Sequence, residues 1–259
     1  MITSTQNARL KQVRALQGRP KERRAAGAFL AEGVRLVEEA LAADWPFRFA
    51  LYGGELAPRA QKLVGQLKTK GIDAEEVSPA LLEAAGETET TQGILAVLEC
   101  PAPAIPNLET LNFVLIPDQI RDPGNLGTLL RSAAATGAQA VFLPPETVDV
   151  YNPKVVRAAM GAHFRLKLCS LEWSSIRTYT HGLTVFLADA EGATSCWAAD
   201  FRPPLALILG GEADGASQSA RNLADHVVNI PMPGKIESLN AAVAGAVLMF
   251  EVVRQRTND

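Results

Sequence analysis

Five short runs in the second half of the chain constrain its fold most: Phe113–Ile116, Ala140–Leu143, Thr184–Leu187, Leu205–Leu209 and Val227–Ile230. Each is apolar almost throughout, and none shows the alternation of a strand with one wet face. Runs of this kind read as parallel strands buried on both faces. Leu166–Leu168 is a sixth, shorter candidate. Helical segments lie between them; Asn152-Pro153 offers an N-cap followed by proline at the first helical position, and Gly161 closes that helix.

The front of the chain alternates in the same way. Phe29–Ala31, Phe47–Leu51 and Ile94–Leu98 read as strands. A basic helix over Asn7–Leu16, an amphipathic one carrying Val34, Val37 and Leu41, and a third over Ala60–Lys70 complete a small α/β sandwich. Between the two halves stands Cys100-Pro101-Ala102-Pro103-Ala104-Ile105-Pro106, whose three prolines favour an extended, stiff connector. The expected division is therefore a domain over 1–100, a linker over 101–106 and an α/β domain over 107–259.

With 259 residues and 47% hydrophobic content the chain has enough apolar material for such cores. No run approaches the ~18 apolar residues of a membrane span, and the opening residues lack the apolar stretch of a secretory signal. Cys100, Cys169 and Cys196 are odd in number and widely spaced, the pattern of a reducing, cytoplasmic setting, and without paired spacing no metal site is expected.

Charge is distributed unevenly. Residues 1–24 hold seven basic groups (Arg9, Lys11, Arg14, Arg19, Lys21, Arg23, Arg24) against Glu22 alone, while the rest of the chain carries 18 basic and 27 acidic groups. This argues against nonspecific coating of nucleic acid and permits a local phosphate-binding patch at the front, or simply a solvated basic helix face.

Several familiar chemistries find no support. The chain has no GxxxxGK[ST], no GxGxxG after a strand and no GxSxG, and its histidines (His163, His181, His226) read as structural. Three other segments each follow a predicted strand, where open α/β sheets place their ligand crevice. In the first, Asp118–Arg131, Pro123-Gly124 makes a turn, Asn125 is a candidate N-cap, and Arg131 lies one turn beyond Gly127. From there Arg131 can reach a phosphate or a developing oxyanion, or stay solvated. The second, Leu207–Gly215, has paired glycines at Gly210 and Gly211 that allow close backbone approach by a flat ligand or make a tight turn. The third, Ile230–Asn240, leads into a long helix whose Leu239, Ala242, Val243, Ala246, Val247, Phe250 and Val253 form an apolar stripe facing a core or a partner subunit; Ser238 is a candidate N-cap for it.

Together, in this order, the segments resemble the three signature motifs of the SpoU (TrmH-like) RNA 2′-O-ribose methyltransferases of the SPOUT superfamily. Asn125/Gly127/Arg131 match N-x-G-x-x-x-R, Gly210/Glu212/Gly215 match G-x-E-x-x-G, and Ile230/Pro231/Gly234/Ser238/Leu239/Asn240 match I-P-x-x-G-x-x-x-S-L-N. Val156–Leu166 also looks like that family, and Ile2–Ser4, Asn7 and Phe29–Gly33 resemble the substrate-binding extension of its rRNA-modifying members. Gly211 departs from the pattern, since many relatives carry Asn there.

The resemblance implies a C-terminal domain with a mostly parallel sheet and a deep trefoil knot, behind a small N-terminal α/β substrate-binding domain. It implies S-adenosylmethionine held near Leu187, Ala188, Gly210, Gly211, Glu212, Ile230, Met232, Ser238, Leu239 and Asn240. The methyl group would pass to a ribose hydroxyl of ribosomal RNA, most naturally 23S, with Arg131 central and Asn125, Glu212, Ser238 and Asn240 around it. Arg9, Lys11, Arg14, Lys21, Arg23 and Arg24 would contact the RNA, and the knot domain would form a homodimer. Transfer RNA as substrate, or a non-catalytic RNA-binding protein on the same fold, are the alternatives.

Overall fold

In the computed structural model, which describes residues 1–86, 92–102, 105, 107–211, 215–234 and 236–257, all five apolar runs become strands. In chain order the first hundred residues form α1 (Ala8–Gln17), α2 (Pro20–Ala26), β1 (Ala28–Glu32), α3 (Val34–Ala42), β2 (Phe47–Gly53), α4 (Pro58–Thr69), β3 (Ala74–Val77), α5 (Pro79–Glu83) and β4 (Ile94–Glu99). Then follow β5 (Phe113–Pro117), α6 (Pro123–Ala135), β6 (Ala140–Leu143), α7 (Pro153–Ala159), β7 (Lys167–Ser170) and α8 (Trp173–Tyr179). The last are β8 (Thr184–Ala188), β9 (Thr194–Ser195), β10 (Leu205–Leu209), α9 (Gln218–Leu223), β11 (His226–Asn229) and α10 (Ala241–Thr257).

These elements make two units, one of Met1–Ala102 with Asp149–Phe164 and one of Pro103–Val148 with Arg165–Asp259. The first contains a mixed sheet in the order β1-β4-β2-β3. Phe29, Leu63, Leu67, Ile94 and Leu98 pack on one face, and Leu10, Val13 and Leu16 of α1 cover Leu30, Leu51 and Val97 on the other. Both faces are buried, as an α/β sandwich requires. β3, Ala-Glu-Glu-Val, has no apolar run to announce it; it is the last strand of its sheet, paired with β2 on one side and bridged on the other only at Val77 by Ile2.

This unit extends beyond a single cut at the prolines because Asp149–Phe164 finds its partners there. Arg23 is buried, its Nε donating to Asp149 Oδ2 at 2.7 Å and its Nη1 to the carbonyls of Leu16 (2.7 Å) and Gly18 (2.9 Å). The Phe29 ring lies 4.7 Å from that of Tyr151 and stacks on His163 at 6.2 Å. His163 is wholly enclosed, and burial holds its pKa down to about 4. It is a neutral imidazole, donating from Nε2 to the Val150 carbonyl at 2.7 Å.

The second unit holds a seven-stranded sheet in the order β7-β6-β5-β10-β8-β11-β9, with every neighbouring pair parallel. From β5 the chain moves outward through β6 and β7, then crosses to β8 on the other side. β10 later slots between β5 and β8. Strand order thus reverses beside β5, and the loops after β10, β8 and β11 leave from three adjacent strand ends, the arrangement that opens a ligand crevice.

α10 turns most of its apolar stripe away from its own core. Its buried face is Ala241, Ala242, Gly245, Leu248, Met249, Glu251 and Val252. Of the predicted stripe only Ala242 is buried, while Val243 and Phe250 are 50% and 54% exposed. Gly245 accounts for the rotation: it sits where a Cβ would crowd the Leu129 side chain of α6 and lie 2.5 Å from Leu209 Cδ1 of β10, so the helix packs closest at the residue that lacks a side chain.

Candidate active site

The loop after β5 begins the site. Asp122, not Asn125, caps α6: its Oδ1 accepts the Asn125 N–H at 2.8 Å, and Pro123 occupies the first turn. With the cap supplied by Asp122, the Asn125 side chain turns elsewhere, and its Oδ1 accepts a hydrogen bond from Asn240 Nδ2 at 3.0 Å. Asn240 in turn caps α10, its Oδ1 accepting from the N–H groups of Ala242 (3.0 Å) and Val243 (3.2 Å), so the cap expected at Ser238 falls two residues later. One asparagine therefore starts the last helix and ties the first motif to the third. Gly127 is buried on α6, and Arg131 is exposed one turn beyond it, with no ion-pair partner among the described residues.

The loop after β10 is built on close backbone approach. A Cβ on Gly210 would lie 2.7 Å from the Ala216 nitrogen, and one on Gly211 would lie 2.6 Å from the Gln119 carbonyl oxygen. At the second position the Gln119 carbonyl takes the space a side chain would need. Gly211 N–H donates to the Gly215 carbonyl at 3.1 Å and closes the neck of the loop. Glu212 lies outside the described residues.

A cavity of about 660 Å³ opens where these loops meet. Of the expected cofactor residues, Ala188, Gly210, Gly211, Ile230, Met232, Ser238, Leu239 and Asn240 line it. Leu187 does not; its side chain is buried in the core of the second unit. Arg131 and Asn125 are not among the lining residues either, although Asn125 reaches Asn240. Sequence reasoning missed the wall formed by Asp189 and Arg221, an ion pair at 2.7 Å. The signal was slight: Asp189 follows directly on the β8 run, and Arg221 sits just past the second motif.

Apolar residues (Ile230, Met232, Leu239) and polar ones (Asp189, Ser238, Asn240) together line a space in the ~300–1,000 Å³ range of small-molecule sites. Such a site suits a flat heterocycle with polar appendages. Among the described residues no group of three or more His, Cys, Asp or Glu could hold a metal ion, and no described helix is long and apolar enough to cross a membrane.

On the first unit the basic arm is only partly available. Lys11, Arg14, Arg19, Lys21 and Arg24 are exposed. Arg9 is engaged by Asp73 and by Glu75 at 3.1 Å and lies 5.1 Å over the Phe49 ring. Arg23, expected to bind RNA, is consumed by Asp149 and two carbonyls and presents no charge outward.

The profile of the SpoU rRNA Methylase family matches residues 112–250, the stretch that carries all three loops. The chain belongs to this family. An MRM3-like substrate binding domain matches residues 7–96. Among SpoU relatives, the 23S rRNA (uridine(2479)-2'-O)-methyltransferase of Streptomyces viridochromogenes is 37% identical, over 98% of this chain and 92% of that protein. The 23S rRNA (guanosine(2553)-2'-O)-methyltransferase RlmP of Bacillus subtilis is 33% identical, over 97% of this chain and 98% of that one. The crystal structure of the SpoU methyltransferase AviRb from S. viridochromogenes in complex with AdoMet superposes with a TM-score of 0.89 at 34% identity, covering 97% of this chain and 99% of the other.

Proposed function

We propose that this chain transfers a methyl group from S-adenosylmethionine to a ribose 2′-hydroxyl of ribosomal RNA, 23S being the substrate its relatives point to. The observation that carries the reading is the convergence of the strand-end loops on one cavity, with Asn240 bonded at once to the α10 N-terminus and to Asn125 of the first motif. The cavity fits the cofactor by size and by its mixed lining: Ile230, Met232 and Leu239 would hold the adenine, and Asp189, Ser238 and Asn240 the polar parts. When bound, the cofactor supplies an electrophilic sulfonium methyl.

A ribose hydroxyl is a weak nucleophile, so the protein must stabilise it as its proton leaves. Arg131 suits that task. A guanidinium keeps its proton and presents a rigid fork of donors, so it fixes the substrate phosphate and the developing alkoxide without acting as the base. Asn125 and Asn240 hold one another in place at the root of this helix, and Ser238 borders the cavity beside them. The parallel order β5-β10-β8-β11 suits a trefoil knot, which we include in this reading.

Comparison of 2′-O-methylation across ribosomal RNA from cells with and without the protein tests the proposal. Loss of methylation at one 23S position supports it; an unchanged rRNA map overturns it.

Two further parts of the reading carry their own measurements. Lys11, Arg14, Lys21 and Arg24 supply the exposed phosphate-binding groups of the first unit. Exchanging these four for Gln should flatten the salt dependence of RNA binding, by up to about 0.7–0.9 in the log–log slope for each phosphate no longer neutralised. An unaltered slope would remove the arm from the interface. Val243 and Phe250, seven residues apart on the outer face of α10, leave an apolar surface for a second copy of the chain. Sedimentation should show a dimer for the native protein and a monomer for Phe250→Asp.

A further inference from the structure

The corner just past β5 holds a buried acid that the methyl-transfer reading does not employ. Asp118 is 0% exposed. Its N–H donates to the Leu209 carbonyl at 2.8 Å, extending the β5–β10 pairing to the residue before Gly210. Its Oδ2 accepts the Ser217 N–H at 2.6 Å. Ser217 is the cap of α9, its Oγ accepting from Ala220 N–H at 3.2 Å. The other carboxylate oxygen, Oδ1, is equally buried and has no hydrogen-bond partner among the described residues.

The next residue completes the corner. Gln119 takes a φ of +54°, a conformation uncommon outside glycine. In that conformation its carbonyl presses against Gly211. Two consecutive residues thus hold opposite ends of one loop, Gln119 at Gly211 and Asp118 at Ser217. Gly210 and Gly211 line the cavity at one end of the loop, and Gly215 and Ala216 line it at the other.

We propose that Asp118 is a positioning residue for cofactor binding: by holding Ser217 it keeps the two loop ends, Gly210-Gly211 and Gly215–Ser217, in their ligand-receiving arrangement. Burial pushes the Asp118 carboxyl above the usual carboxylate range, against the opposing pull of its hydrogen bonding to Ser217. The identity of the ligand rests on the methyl-transfer reading; the bracing of the loop ends does not.

The test uses the full chain, with calorimetric titration of S-adenosylmethionine, steady-state kinetics, and hydrogen exchange at the Ser217 amide without cofactor. Asp118→Ala should weaken cofactor binding at least tenfold and speed exchange at Ser217, while kcat at saturating cofactor stays within about threefold. Asp118→Asn keeps an oxygen that can accept the Ser217 N–H and should restore affinity to within about threefold of native. Gly211→Ala, which displaces the other end of the loop from Gln119, should weaken binding as Asp118→Ala does, and it decides the matter if Asp118→Ala fails to fold. Unchanged affinity in Asp118→Ala and Gly211→Ala, a fall in kcat alone, or an Asn variant as weak as the Ala variant would each overturn the proposal. Absence of heat with native protein would instead refute the cofactor assignment, leaving exchange at Ser217 to decide the role of Asp118.

Discussion

Arg131→Lys should lower kcat at least a hundredfold while leaving stability within about 0.5 kcal/mol of native. The two halves of that expectation have separate causes. Arg131 is exposed on α6 and has no ion-pair partner among the described residues, so the fold loses little with it. Deleting one donor to a developing oxyanion, by contrast, costs about 10²–10³ in rate. Lysine keeps the charge but loses the planar fork that engages phosphate or alkoxide through two parallel bonds. If charge alone mattered, Lys would work nearly as well as Arg, and Arg131→Ala would be the only damaging change. Single-turnover methylation with saturating RNA and cofactor separates the cases, and near-native turnover in Arg131→Lys would end the bidentate role. Unfolding curves on the same samples check that the fold survives.

What could be read from the sequence was what local pattern controls. The parallel strands were legible because burial on both faces leaves an unbroken apolar run, as in Leu205–Leu209. The three loops were legible because their glycines, asparagines and arginine stand at fixed spacings. That they share a cavity depends on the order β10-β8-β11, which no spacing encodes. Arg23 looked like its exposed neighbours on the basic arm, yet its counter-ion Asp149 lies 126 residues away. The same long-range pairing carries Asp149–Phe164 into the first unit. Ser238 and Asn240 are both good capping residues, and only the path of the backbone into α10 chose between them. The sequence left the apolar stripe of α10 facing a core or a partner subunit, because apolar periodicity marks two faces of that helix; Gly245 sits on the face that turns inward.

That glycine gives the second large effect. Gly245→Val should destabilise the protein by about 3 kcal/mol and also weaken cofactor binding. In the middle of a helix glycine ordinarily costs about 1 kcal/mol relative to alanine, so on propensity alone any replacement at Gly245 should help. Packing opposes this. A Cβ there would lie 2.5 Å from Leu209 Cδ1 and just as close to the Leu129 side chain, and both leucines are buried. Overpacking a filled core costs about 1–3 kcal/mol, enough to cancel the gain for alanine and leave Gly245→Ala near neutral or about 1 kcal/mol worse. Valine adds two methyl groups to the same gap and has poorer helix propensity, so both terms then act against the fold. Leu209 also lines the cavity and immediately precedes Gly210. The side chain that must yield to the introduced valine is therefore one that shapes the cofactor site, and relief of the clash moves it toward that space or separates α10 from β10. Denaturant unfolding and cofactor calorimetry on both variants grade the effect. A valine variant as stable as native would mean that α10 can slide away from Leu129 and Leu209 at little cost, and that their close approach does not fix the rotation of the helix.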